Sequence, residues 1–277
     1  KMNNKMKTIV ITGAGGILCS TLAKALAKEG HQIALLDLNV EAAQDIADSI
    51  KKKGGKALAI KVNVLEKDSL MQAKYNVNEE FGSCQVLING AGGNHPAATT
   101  DDSFYNRSSD QKEELKTFFN LDMSGIKFVF DLNFMGTLLP TQVFAEDMVD
   151  AKDGNIINIS SMNSFQPLTK IPAYSGAKAA ISNFTQWLAV YFSKVGIRVN
   201  ALAPGFFLTE QNRKLLTKED GSLTERGEII IKRTPLGKFG TPEDLISTTR
   251  WLCEDGSNFI TGIVVPIDGG FSAFSGV

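Results

Sequence analysis

Residues 8–18 read TIVITGAGGIL, and this stretch decides the fold. Thr8–Thr12 is β-branched throughout and short, the composition of a buried strand. It runs into the glycine turn Gly13-Ala14-Gly15-Gly16, after which a helical pattern covers Ser20–Glu29. A strand, a glycine turn and a helix in that order let backbone N–H groups approach a pyrophosphate, whose charge the helix N-terminus favours. Gly13, Gly15, Gly16, Ile17 and Leu18 are therefore candidate phosphate contacts. Asp37 ends a second apolar run, Gln32–Asp37, 21 residues past Gly16. A carboxylate there meets adenosine ribose hydroxyls and repels a 2′-phosphate, so NAD is favoured over NADP. The competing reading has Asp37 only capping a helix that starts near Val40.

Outward from this unit the same rhythm continues. Short apolar runs recur at Leu58–Val62, Val86–Asn89, Asn155–Ser160, Arg198–Ala203 and Ile263–Ile267. Helical patterns lie between them at Glu41–Lys53, Lys67–Phe81, Phe128–Val149, Tyr174–Val195 and Pro242–Cys253, the last opened by a Thr241 cap. Such alternation predicts an α/β fold: a doubly wound, Rossmann-type parallel sheet of about seven strands with helices on both faces, in a single domain over residues 1–277. Two segments break the rhythm. Residues 95–127 read as a polar insertion at the carboxyl edge of the sheet, and residues 209–234 as an irregular substrate lid. The plainer reading makes both solvated surface loops.

Composition narrows the function classes. With 29 Lys+Arg against 30 Asp+Glu, the formal charge of −1 suits neither a nucleic-acid partner nor an anionic membrane surface. Cys19, Cys84 and Cys253 lie far apart without CxxC or CxxH spacing, so neither a disulfide framework nor a metal site is expected. Lys1–Lys7 is polar, with no apolar run to serve as a signal peptide, and no later stretch reaches the roughly 18 apolar residues that span a bilayer. The expectation is a soluble, cytoplasmic protein.

Tyr174-Ser175-Gly176-Ala177-Lys178 places a phenol and an ammonium one helical turn apart on one face. A cation at that range is expected to lower the phenol pKa toward the operating pH, where acid–base exchange is efficient. On a surface helix the same pair would be solvated decoration.

From Thr8 to Gly270 the chain resembles the short-chain dehydrogenase/reductase family. The family's TGxxxGxG pattern fits from Thr12 only with Ile17 and Cys19 standing where glycines are usual. Asn63-Val64 stands where the family reads adenine. Asn89-Gly90-Ala91-Gly92 resembles the turn beneath the adenine ribose, and Pro204-Gly205-Phe206-Phe207-Leu208-Thr209 the segment that holds the nicotinamide carboxamide through the Phe207 backbone and the Thr209 hydroxyl. Ser161, 13 residues before Tyr174, has the family's spacing for the hydroxyl that holds the reacting oxygen; its neighbour Ser160 does not. Asn133 matches the family's fourth member, which kinks its helix and anchors a water linking Lys178 to solvent. Asn133, Ser161, Tyr174 and Lys178 are thus the expected catalytic set, with Tyr174 and Lys178 also touching the cofactor.

Asn94, His95, Ser161, Asn163, Gln211 and Arg213 are the expected substrate contacts, a set suited to a hydroxyl-rich acid whose carboxylate Arg213 would take as a planar fork. A His before Pro, as at His95-Pro96, also reads as purely structural. Residues 92–96, 161–163 and 206–212 resemble the family's D-mannonate oxidoreductase (fructuronate reductase) subgroup, which implies interconversion of D-mannonate and D-fructuronate. The alternatives are another polyol or aldonate dehydrogenase such as a gluconate 5-dehydrogenase, a 3-oxoacyl-carrier reductase, or a regulator that senses the cofactor without turning it over. Family members associate as tetramers or dimers, so a homo-oligomer built on the helix from Tyr174 is implied. The apolar tail Phe271–Val277 is expected to close over a pocket or a neighbouring subunit.

Overall fold

The computed structural model describes residues 5–108, 115–210 and 212–276. Among these, seven strands form one parallel sheet: β1 (Thr8–Thr12), β2 (Gln32–Asp37), β3 (Lys56–Lys61), β4 (Val86–Asn89), β5 (Gly154–Ile159), β6 (Ile197–Pro204) and β7 (Val264–Ile267). Their order, β3-β2-β1-β4-β5-β6-β7, reverses direction between β1 and β4, which opens a crevice at the carboxyl ends of those two strands. The helices are α1 (Ile17–Lys28), α2 (Val40–Lys52), α3 (Lys67–Phe81), α4 (Met123–Phe130), α5 (Gly136–Ala151), α6 (Pro172–Tyr191), α7 (Arg213–Leu216), α8 (Glu225–Arg233) and α9 (Ile246–Cys253).

Alternation along β1 explains the two layers. Ile9 and Ile11 pack against Leu26 of α1, Ile46 of α2 and Leu252 of α9. Val10 points the other way, into Val77 of α3, Phe144 of α5 and Leu188 of α6. Strands covered on both faces need no polar side, hence the unbroken apolar runs in the sequence.

Strand ends match expectation within two residues, while several helix ends differ for local reasons. α1 begins at Ile17, not Ser20, because Gly16 in extended conformation starts it without any side-chain cap. α2 is capped by Asn39, whose side chain accepts from the Ala42 N–H, so the competing reading of Asp37 as that cap is excluded. The pattern over 128–149 resolves into α4, one π-helical turn at Asp131–Met135, and α5. α4 starts at Met123 with Asp122 as its cap, so the polar insertion gives way to helix before Lys127. Residues 209–234, expected to be irregular, contain α7 and α8; only Gly227 and Ile230 of α8 are buried, an apolar stripe too narrow to read in a charged sequence.

Candidate active site

The first glycine turn is laced to the turn after β4. The Thr12 hydroxyl accepts from the Gly90 and Ala91 N–H groups at 3.1 and 3.3 Å. Gly13 lies at φ +61°, and a Cβ there would stand 2.7 Å from the Ala91 nitrogen. The two turns can meet this closely only if glycine occupies that position. Gly15 donates its N–H to the Asp37 carboxylate at 2.8 Å, and the same carboxylate accepts from the Asn39 N–H at 2.8 Å. Asp37 therefore sits at the mouth of the glycine turn. Gly16 only starts α1, and the N–H groups of Ile17 and Leu18 in its first turn find no partner among the described residues.

Cys19, standing where the family pattern has glycine, is accommodated by Gly90: a Cβ on Gly90 would fall 2.1 Å from the Cys19 sulfur. Gly90→Ala is expected to cost about 2 kcal/mol of stability by overpacking. Adding Cys19→Ala should recover part of that loss, though the Thr12 carbonyl oxygen, 2.8 Å from the added carbon, stays in place. Denaturation of the two single variants and the double one measures the coupling; strict additivity would deny the contact.

The remaining turns contribute unequally. Asn63 spends its side chain locally, donating to Glu66 and accepting from the Leu65 N–H, while Val64 is buried against Gly136. The Asn89 side chain does not face the cleft: it is 1% exposed and donates to Thr141 and Asn158 beneath the sheet edge. A side-chain contact of Asn89 with a cofactor is corrected on that ground, which leaves its backbone. Gly92 lies against Asn133 and Lys178, since a Cβ there would stand 2.6 Å from Asn133 Oδ1 and 3.2 Å from Lys178 Nζ. At the end of β6, Pro204 pairs with Ile267, and Gly205 gives up its Cβ to the passing Asp268 backbone. Asn212 staples this turn: it donates to the Phe207 carbonyl and accepts from the Thr209 N–H.

Ser161, Tyr174 and Lys178 converge at the carboxyl edge of β5. The Ser161 hydroxyl accepts from the Asn163 N–H at 3.2 Å and stands on the Tyr174 phenol closely enough to lower its pKa, and Lys178 Nζ lies 5.6 Å from the centre of the Tyr174 ring. Lys178 is buried and donates to the Ile159 carbonyl at 2.8 Å, which aims the ammonium along the strand end. Ser160 is turned away, bonded to the Lys178 carbonyl and to Ser182. Asn133 is fully buried in the π turn; its amide donates to the Val129 and Gly93 carbonyls, and its oxygen accepts from the Gly93 N–H. The π turn thus ties the helix to the loop after β4.

The electrostatics overturn one expectation. Burial pushes the Tyr174 phenol up to about 12, only partly offset by Ser161. The lysine one turn away does not lower it, because the phenolate would lose its water while the ammonium is held on Ile159. Burial likewise brings Lys178 down from 10.5 to about 8, with nearby Cys19 opposing.

On the substrate side, Asn163 is buried and its Oδ1 has no partner. Asn94 is exposed and donates to Thr99. His95 uses Nδ1 to accept from the Ala97 N–H and rests its ring against Phe128, the structural reading of that residue. Arg213 pairs with Glu210 at 3.0 Å, so its fork is already occupied. Gln211 lies outside the described residues.

This cleft is shaped for exchange between an alcohol and a carbonyl against a dinucleotide. The chain belongs to the short chain dehydrogenase family, whose sequence model matches residues 7–220. It is 58% identical over 276 residues to an uncharacterized oxidoreductase of Haemophilus influenzae, covering 99% of this chain and 96% of that one. A crystal structure from Haemophilus influenzae, carrying the provisional name D-mannonate oxidoreductase and bound NAD, superposes with a TM-score of 0.94 at 58% identity, covering 98% of this chain and 96% of that one. The 5-keto-D-gluconate 5-reductase of Escherichia coli is 30% identical over 266 residues, 95% of this chain and 94% of the enzyme.

Proposed function

We propose that this chain is an NAD-dependent oxidoreductase that interconverts a secondary alcohol and a ketone of a sugar acid, D-mannonate and D-fructuronate in particular. The observation that carries the reading is the meeting of the Ser161 hydroxyl, the Tyr174 phenol and the Lys178 ammonium at one strand end, under Gly92. The cleft fits the cofactor: glycines line both turns at the crevice, the α1 amides of Ile17 and Leu18 have no partner among the described residues, and the Asp37 carboxylate would repel a 2′-phosphate. Gly205, Phe207 and Thr209 would hold the nicotinamide end. When bound there, the nicotinamide exchanges hydride with the substrate carbon.

The chain's own groups handle the oxygen. Ser161 fixes it by hydrogen bonding, and Tyr174, protonated at neutral pH, donates to it during reduction. Lys178 resupplies the phenol, and the π turn at Asn133 anchors a water that completes the path to solvent. In oxidation the path runs backward, and the phenol returns its proton along the same groups. The sugar-acid reading draws support from the orphaned acceptor on Asn163, which calls for a hydroxyl donor, and from the similarity to the reductase that acts at carbon 5 of a keto-gluconate.

The test is a panel of sugar acids, polyols and acyl substrates assayed with both nicotinamides. Oxidation of D-mannonate with NAD is the expected result, with NADP poorer by at least about 10-fold from the Asp37 carboxylate. Activity confined to uncharged alcohols would eliminate the sugar-acid reading. Exposed Trp187, Val190 and Tyr191 on α6 support association of the chain through that helix.

A further inference from the structure

Beyond the loop that follows Ser161 lies a cavity of about 480 Å³ that none of the sequence-derived contacts lines. Gln166, Phe206, Arg226, Arg233 and Phe271 are among the residues that line it. It adjoins the centre on two sides: the Gln166 N–H donates to the Met162 carbonyl, one residue past Ser161, and Phe206 belongs to the turn that ends β6.

Arg233 is set into this wall. Its guanidinium lies over the Phe271 ring at 5.2 Å, and that buried ring is braced edge-on by Phe206 at 5.3 Å. Stacking on an aromatic floor orients the planar fork while leaving its N–H groups free. No described carboxylate lies within ion-pair distance of Arg233, whereas Arg213 is taken by Glu210. The other charges facing the cavity are Lys170, whose ammonium is bound to the Asp101 carbonyl, together with Arg226 and Glu225, so the cavity carries an excess of positive charge. Gln166, in the cavity wall, carries a buried acceptor with no donor among the described residues, Oε1, and Asn163 Oδ1, two residues past Ser161, is another. Unpaired acceptors in a buried site are costly unless a ligand supplies the hydrogen.

We infer that Arg233 anchors the substrate carboxylate, while Gln166 turns its unpaired oxygen to a hydroxyl along the substrate chain. This rests on the sugar-acid reading and specifies how the site selects it. Carbon 5 of a hexonate lies four bonds from the carboxyl carbon. An acid group displaced from Tyr174 into a neighbouring cavity is what that chain length requires. The plainer account of Arg233, a cation in the last turn of α8 complementing the helix dipole, explains neither the aromatic seat nor the orphaned acceptors.

The test compares D-mannonate with its uncharged counterpart D-mannitol at saturating NAD, in the wild type, Arg233→Met and Arg233→Lys. An anchor remote from the reacting carbon binds ground and transition states alike, so Arg233→Met should raise the KM for D-mannonate with little change in kcat. The loss in kcat/KM is expected to be roughly 10- to 100-fold, the value of a charge-assisted hydrogen-bonded pair. Activity on D-mannitol and the KM for NAD should hold, and Arg233→Lys should recover part of the loss. Equal loss on both substrates, or an unchanged KM for D-mannonate, overturns the assignment of Arg233 alone. A wild type that oxidises no sugar acid sinks the functional reading and this assignment together.

Discussion

A Tyr174→Phe enzyme is expected to bind NAD with near wild-type affinity and to lose roughly 10²- to 10⁴-fold in turnover, the usual share of a positioned general acid. The substitution removes one oxygen. It keeps the ring that packs beside Ala177 and Val129, so α6 has no reason to shift. What disappears is the hydroxyl that meets Ser161 and that burial keeps protonated up to about pH 12. Ser161 can still hold the substrate oxygen, but the hydroxyl that passes it a proton from Lys178 is gone. Cofactor titration by fluorescence alongside steady-state assays separates binding from chemistry. Turnover close to that of the wild type would remove Tyr174 from the mechanism.

Lys178→Met is expected to abolish most activity and, at pH 7, to make the protein more stable. Lys178 is 3% exposed and its pKa falls from 10.5 to about 8, so at pH 7 the folded chain carries a buried ammonium. That charge costs on the order of 3 kcal/mol. Losing the hydrogen bond to the Ile159 carbonyl gives back about 1 kcal/mol. A net gain of about 2 kcal/mol is therefore expected from a variant that no longer works. The pH dependence has a definite direction. Below pH 8 the lysine is protonated whether the chain is folded or not, and the penalty is constant. Between 8 and 10.5 the unfolded chain binds the extra proton, so wild-type stability from this group rises with pH. The gap between Lys178→Met and wild type should narrow across that window. Urea denaturation at neutral and alkaline pH measures it; a less stable variant at pH 7 would show that the ammonium is better solvated than its surroundings imply.

A charge retained where it destabilises the fold is the pattern expected of a working site. The glycine turns tell a related story, because Gly13, Gly90 and Gly92 each leave space that a neighbouring backbone or functional group occupies. Of these, Gly13 stands out in the sequence through its strand–turn–helix setting. Gly90 could be understood only once Cys19 was seen to fill the room beside it.

Other differences have equally specific causes. Spacing singles out Asp37 in the sequence, yet its bond to the Gly15 N–H depends on two strands lying side by side. The Tyr174–Lys178 spacing was plain at i and i+4, but the direction of the phenol shift came out opposite. A helical wheel shows the distance between two charges and says nothing of the water each has lost. Arg213 had the right chemistry on the right segment, and Glu210, three residues earlier, neutralises it.

Periodicity, glycine placement and motif spacing were enough to determine a parallel α/β sheet and the strand ends that face the crevice, because each is written within a few residues along the chain. Three-dimensional packing alone decided which groups are desolvated, which cations are already paired and which acceptors lack donors. Those properties depend on neighbours far apart in sequence: α8, the loop after β5 and the Phe271 tail meet at one cavity only after folding.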